Sequence, residues 1–249
     1  LWAEHVEHAR QVLDGSVRLG RRPADLAQVL ALLGVGGPAI AAFRALSRVA
    51  GSTDPSHVEA VRDSAAHIAW GFRTLFNVPD VSFLLRGLDR REPYWRRVLE
   101  YGVAGGIQAM LDEYVHVLQE SLGLLGHDPV TVAHELAYGI FDALTLRTAS
   151  LRLDHLMADG AEQPIGIERY GVRARFAVRF GDQHAEDDRV LARASQVRTA
   201  FNSPFWPFVL ATTSIGQEGL DFHPYCHAVV HWNLPSNPVD LEQREGRVH

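Results

Sequence analysis

Ala211-Thr212-Thr213-Ser214-Ile215-Gly216-Gln217-Glu218-Gly219-Leu220-Asp221 is an apolar strand end that opens into a polar, glycine-punctuated loop. The residues before it, Phe208-Val209-Leu210-Ala211, are continuously apolar, as expected of a strand covered on both faces. In open α/β sheets, ligands bind where strands end at their carboxyl edge. Thr212, Thr213 and Ser214 place three hydroxyls at that edge. Gly216 and Gly219 let the backbone approach a ligand closely. Such hydroxyls and loop amides suit phosphate oxygens on a nucleic-acid backbone. Asp221 has the chemistry to accept from a ribose hydroxyl. Taken alone, the same pattern also fits a plain glycine-rich surface loop.

Twenty-odd residues on, Asn237-Pro238 is a strong helix start, with Asn237 as N-cap and Pro238 at the first helical position. Asp240 and Glu242 favour the positive end of that helix. Gln243 and Arg247 are four apart and share a face. A guanidinium so placed stabilises charge on a transferring phosphoryl group. An exposed, Arg/Glu-rich helix end is the plainer reading of this segment by itself. The next residue on the face would be position 250, beyond His249, and the chain begins at Leu1 rather than a methionine. Both termini are therefore expected to be cuts in a longer protein.

The two motifs are separated by a span that fits one strand, with Ala228-Val229-Val230 as its apolar run. Together they resemble motifs V and VI of superfamily-two helicases and translocases. The intervening Val229-Val230-His231-Trp232-Asn233-Leu234-Pro235-Ser236-Asn237-Pro238 resembles the segment before motif VI in Swi/Snf-like translocases. The resemblance is specific over about Ala211 to His249 and holds in outline from Phe176. It implies an α/β fold: a partial RecA-like parallel sheet lobe, preceded by an all-helical domain or insertion. It also implies roles. Thr212, Thr213 and Ser214 match nucleic-acid-contacting positions. Glu218, Gly219 and Asp221 match the loop that couples nucleic acid to nucleotide, with Gly219 and Asp221 toward ATP. Gln243 and Arg247 match ATP-facing positions, Arg247 being the catalytic arginine. ATP and Mg2+ are implied as cofactors, held mainly by a first lobe that this chain does not contain. The implied partners are nucleic acid, with duplex DNA favoured, and that first lobe. The final motif VI arginine and the strand that normally opens the second lobe are not found.

Upstream, residues 1–146 read as helical, because apolar residues recur at three- and four-residue spacing between breakers. Helices are expected over Trp2 to Leu13, Ala24 to Leu33, Ala39 to Val49 and Pro55 to about Phe76. A longer one is expected from about Pro93 to Leu125, and another from Asp128-Pro129 to about Thr145. Near Leu146 the period changes to two. Leu151 and Leu153, then Val172, Ala174, Phe176, Val178 and Phe180, alternate with other residues, so two strands can pair across Ala158 to Pro164. A helix with Val190, Ala194, Val197 and Phe201 inward follows. The order strand, helix, strand, strand, helix is βαβ grammar. The expected division is a helical domain or insertion over 1–146 and a C-terminal helicase lobe over 147–249.

Composition bounds the function. A chain of 249 residues, 47% hydrophobic and 22% charged, has the make-up of a globular protein with a substantial core. No apolar run is read as approaching the ~20 residues of a membrane span, no signal peptide is evident, and no membrane partner is expected. All 24 basic residues are arginine. A P-loop needs a lysine at the β- and γ-phosphates, so the chain holds no complete Walker A motif. The net charge of −6 argues against a wholly basic nucleic-acid surface. The lone Cys226 excludes an internal disulfide and fits a cytoplasmic location.

Other groupings have plainer readings. His223, Cys226, His227 and His231 are zinc-ligand types, but Pro224 and the strand-like Val229-Val230 break the helical spacing they need. Arg173, Arg175 and Arg179, with Arg169 nearby, form a basic stripe best read as a solvated strand face. Trp70, Phe72, Phe76, Tyr94 and Trp95 read as helical-domain core rather than a base-stacking platform. Asp112-Glu113 lacks an evident catalytic partner. The leading expectation is the second lobe of an ATP-dependent DNA helicase or translocase, coupling ATP hydrolysis to movement on nucleic acid. The alternative is a non-hydrolysing nucleic-acid- or protein-binding module on a degenerate lobe.

Overall fold

The computed structural model describes residues 1–51, 54–78, 81–82, 85, 93–145, 149–157, 166–174, 198–205, 209 and 225–246, with backbone alone over 149–157 and 166–174. The chain divides into two compact units, Leu1–Thr145 and Leu146–His249.

The first unit is helical: α1 (Trp2–Leu13), α2 (Leu26–Gly36), α3 (Pro38–Ala50), α4 (Pro55–Phe76), α5 (Tyr94–Ala104), α6 (Ile107–Ser121) and α7 (Pro129–Thr145). The starts follow local chemistry. Asp54 caps α4 by accepting from the Ser56 amide at 2.8 Å, with Pro55 at the first turn. Asp128 does the same for α7, accepting from the Val130 and Thr131 amides at 3.1 Å. Serving as a cap holds the Asp54 carboxyl below its ordinary range, chiefly through the Ser56 hydroxyl and then the Ser56 amide.

The core lies where α4 packs against α3 and α7, and α3 against α6. Ile68 and Phe72 of α4 are buried, and so are the small residues Ala41, Ala42 and Ala45 on α3 and Ala133 and Ala137 on α7, the helices packed against it. Leu111, Tyr114 and Val115 close the α6 side. Each large apolar side chain taken fully out of water contributes about 1.5–3 kcal/mol. Small residues on one helix and large ones on its neighbour let the axes come close without voids. Gly71 extends this: a Cβ there would stand 2.9 Å from Leu144 Cδ1.

Polar side chains fasten the periphery. Arg48 of α3 pairs with Asp112 of α6, which also accepts from Gln108 Nε2 at 2.9 Å. Asp112 is thus a structural anchor. Arg96 of α5 pairs with Asp25, the N-cap of α2, and this hydrogen bond is the main cause that keeps the Asp25 carboxyl low. Between those helices Gly36 and Gly102 meet backbone to backbone. A Cβ on Gly102 would run into the Gly36 carbonyl, and one on Gly36 into that of Leu99.

Four expectations are corrected here. The single helix over Pro93 to Leu125 is two, because Gly105-Gly106 interrupts it and Gly106 adopts φ 70°, a left-handed conformation that favours glycine. Trp70 and Trp95 are not core: they are 44% and 48% exposed. Arg73 lies 4.5 Å over the Trp70 ring and Arg96 5.5 Å over the Trp95 ring. Phe72 and Phe76 are buried as expected, and Tyr94 donates its hydroxyl to the Phe76 carbonyl at 2.5 Å. The apolar stretch is also longer than read. α2 continues through Gly34 to Gly36, so Leu26–Ala50, at mean hydropathy 1.9, is long and apolar enough to cross a membrane by length and composition. In the structure it bends at Gly37, whose φ −69° and ψ 121° separate α2 from α3.

The fourth correction is the fold class. Among the described residues there is no parallel sheet, and hence no RecA-like parallel lobe. The described strands of the second unit, β1 (Ala149–Met157) and β2 (Gly166–Ala174), are antiparallel, with Ala149 opposite Ala174 and Met157 opposite Gly166. They pair across the expected turn, but the second strand starts earlier than its alternation predicts, and Phe176, Val178 and Phe180 lie outside the described residues. The expected strand at Ala228-Val229-Val230 is not formed: the segment has no regular secondary structure and no ladder partner among the described residues. Apolar continuity marks a chain as able to enter a sheet, but only pairing satisfies its backbone groups. The expected strand at Phe208–Ala211 lies outside the described residues apart from Val209, which is exposed.

Candidate functional site

The best-described part of the second unit's chemistry is the segment 225–246. Residues 226–231 carry no regular secondary structure, the chain bends at 232–233 and again at 236–237, and α8 (Pro238–Glu245) follows. Its start is as the sequence dictates. Asn237 Oδ1 accepts from the Val239 amide at 3.1 Å, Pro238 occupies the first turn, and Asp240 stands near the positive helix end. At the other end the Gly246 amide donates to the Glu242 carbonyl at 2.8 Å.

Gln243 is exposed in the last turn of α8. Its amide offers both donors and an acceptor to a group arriving from outside the helix. The other expected site residues, Thr212, Thr213, Ser214, Glu218, Gly219, Asp221 and Arg247, lie outside the described residues. Of the zinc-ligand types, His223 also lies outside. Cys226 Sγ donates to the Ala228 carbonyl at 3.6 Å, and His227 is exposed. Among the described residues no group of three His, Cys, Asp or Glu converges to hold a metal.

Two contacts here escape a motif-based reading. Arg244 Nη1 donates to the Asn233 carbonyl at 3.1 Å, and His231 Nε2 lies 3.4 Å from Glu245 Oε1. A signal was present in the alternation Val230-His231-Trp232-Asn233-Leu234. Its polar members fall on one side and its apolar members on the other. The structure keeps that division only at His231, since Asn233 is exposed and meets α8 through its carbonyl. His231 is partly buried toward α8, while Val230 and Trp232 are 89% and 94% exposed.

Residues 191–249, which include this capped helix and the loop before it, match a family model. The domain matched is the helicase conserved C-terminal domain, over less than half of the chain. The match agrees with the superfamily-two resemblance of motifs V and VI. No curated protein and no solved structure matches this chain.

Proposed function

We propose that residues 147–249 serve as the C-terminal lobe of an ATP-dependent DNA helicase or translocase, with residues 1–146 as a helical domain or insertion preceding it in sequence. The observation that carries this reading is the helicase-domain match over 191–249. The capped α8, with Gln243 exposed in its last turn, supports it.

Bound ATP supplies the phosphoryl group whose transfer to water drives movement. Gln243, Arg247, Gly219 and Asp221 are the residues of this chain that would hold it. The exposed Gln243 amide fits that task. Arg247 carries charge suited to the transferring phosphoryl group, and catalysis in this class is mostly positioning and electrostatics. Thr212, Thr213 and Ser214 hold the nucleic-acid backbone, duplex DNA in this reading, by contacts that carry no sequence information. Glu218 links that contact to the nucleotide side. The family pattern places magnesium mainly on the first lobe.

In the full-length protein, Arg247→Ala lowers kcat for ATP hydrolysis by roughly 10³–10⁵, the range of arginine-finger contributions. KM for ATP changes only a few-fold. A kcat within a few-fold of the native value would remove Arg247 from the site.

A further inference from the structure

α8 is eight residues long and buries none of them. Helices shorter than ~12–15 residues are marginal on their own, so its direction depends on side-chain tethers. Two successive residues of its last turn supply them. Arg244 holds the Asn233 carbonyl at 3.1 Å and Glu245 meets His231 at 3.4 Å. Successive helix positions point about 100° apart. One tether would leave the helix free to swivel, whereas two at different azimuths, fixed to points two residues apart on the preceding segment, restrain rotation about its axis. Gln243 immediately precedes this pair in the same turn, and the chain leads on to Arg247.

We infer that Arg244 and Glu245, clasping Asn233 and His231, are positioning residues that fix the direction in which α8 presents Gln243 and leads into Arg247. The inference rests on the proposed ATP-facing role of that helix. Exposed contacts of this kind contribute little to global stability, so the clasp acts on orientation rather than on folding.

The experiment has two arms. In the 249-residue chain, Arg244→Ala speeds amide hydrogen exchange over 238–245 several-fold and leaves the amides of α4 and α7 protected as before. Arg244→Lys, which keeps a donor, restores most of the protection. In the full-length protein, Arg244→Ala lowers kcat about tenfold with little change in KM, since displaced catalytic groups lose rate rather than binding. It adds little to the loss already caused by Arg247→Ala, because both act on the same catalytic step. Unchanged exchange overturns the clasp and leaves the site reading standing. Raised exchange with kcat losses that multiply independently overturns the positioning role. A silent Arg247→Ala defeats the ATP-facing assignment and the positioning role built on it, whatever the exchange arm shows.

Discussion

His67 stands on α4 with its ring stacked on Phe141 of α7 at 4.1 Å and edge-on to Tyr138 at 5.2 Å. Its Nε2 is buried without a hydrogen-bond partner. Burial therefore pushes its pKa below the ordinary 6.5, against the opposing pull of Asp63 and Asp142 and with a smaller push from the N-terminus. The sign of the pH effect follows. Unfolded, the imidazole takes a proton near pH 6.5; folded, it resists. The unfolded state then binds more protons, and stability falls as pH drops through 6.5 toward the lowered folded value. His67→Leu removes that loss. Thermal unfolding of the variant, followed between neutral and mildly acid pH, gives a flatter Tm profile than the native chain. Equal slopes would show that other groups carry the acid sensitivity. None of this was legible in the sequence, because a lone histidine on a helix has no pattern that reveals which ring lies above it. The caps were legible: Asp54-Pro55, Asp128-Pro129 and Asn237-Pro238 each begin a helix where local chemistry places it.

At the scale of elements, the α2–α5 crossing is the least tolerant. The Gly36 carbonyl fills the Cβ space of Gly102 and the Leu99 carbonyl that of Gly36, so neither glycine accepts a methyl without moving backbone. Gly102→Ala should destabilise the first unit by about 1–3 kcal/mol, the usual penalty of overpacking. Urea unfolding measures it, and a midpoint equal to that of the native chain would mean the two helices part freely. The sequence shows why some elements were readable and others not. Helix periodicity over Pro55 to Phe76 and Pro129 to Thr145 is long, uninterrupted and flanked by caps. The break at Gly105-Gly106 was missed because Ile107, Leu111, Tyr114 and Leu118 continue a regular stripe, and a stripe is blind to one left-handed residue at its start. The hairpin was legible because two alternating runs lie close in sequence. The expected parallel sheet failed among the described residues, because it was inferred from pairings between strands far apart along the chain, which no local pattern specifies. For the site, motif spacing reached Gln243 and its helix, and left Arg244 and Glu245 unassigned, since their partners lie eleven and fourteen residues upstream.

At the scale of the whole molecule, the two units differ in kind. Leu1–Thr145 closes a core within itself, from Ala42 and Leu46 through Ile68 to Leu136 and Ile140. Residues 1–145 expressed alone therefore fold cooperatively, with coincident unfolding transitions by circular dichroism and calorimetry. A non-cooperative melt would mean that this core needs the second unit. The 249-residue chain should not hydrolyse ATP by itself, because it has no lysine for a P-loop; DNA-stimulated phosphate release by the pure chain would overturn this. The placement of the tryptophans also decides how such experiments are to be read. Of the five, Trp70, Trp95 and Trp232 are exposed and Trp2 is only partly covered, while the rings that fill the core are Phe72 and Tyr114. These four indoles already meet water in the native state, so their emission has little red shift left to undergo on unfolding. The optical report of the core's collapse passes instead to the tyrosine and phenylalanine bands of the near-ultraviolet dichroism, where loss of a fixed ring environment extinguishes the signal.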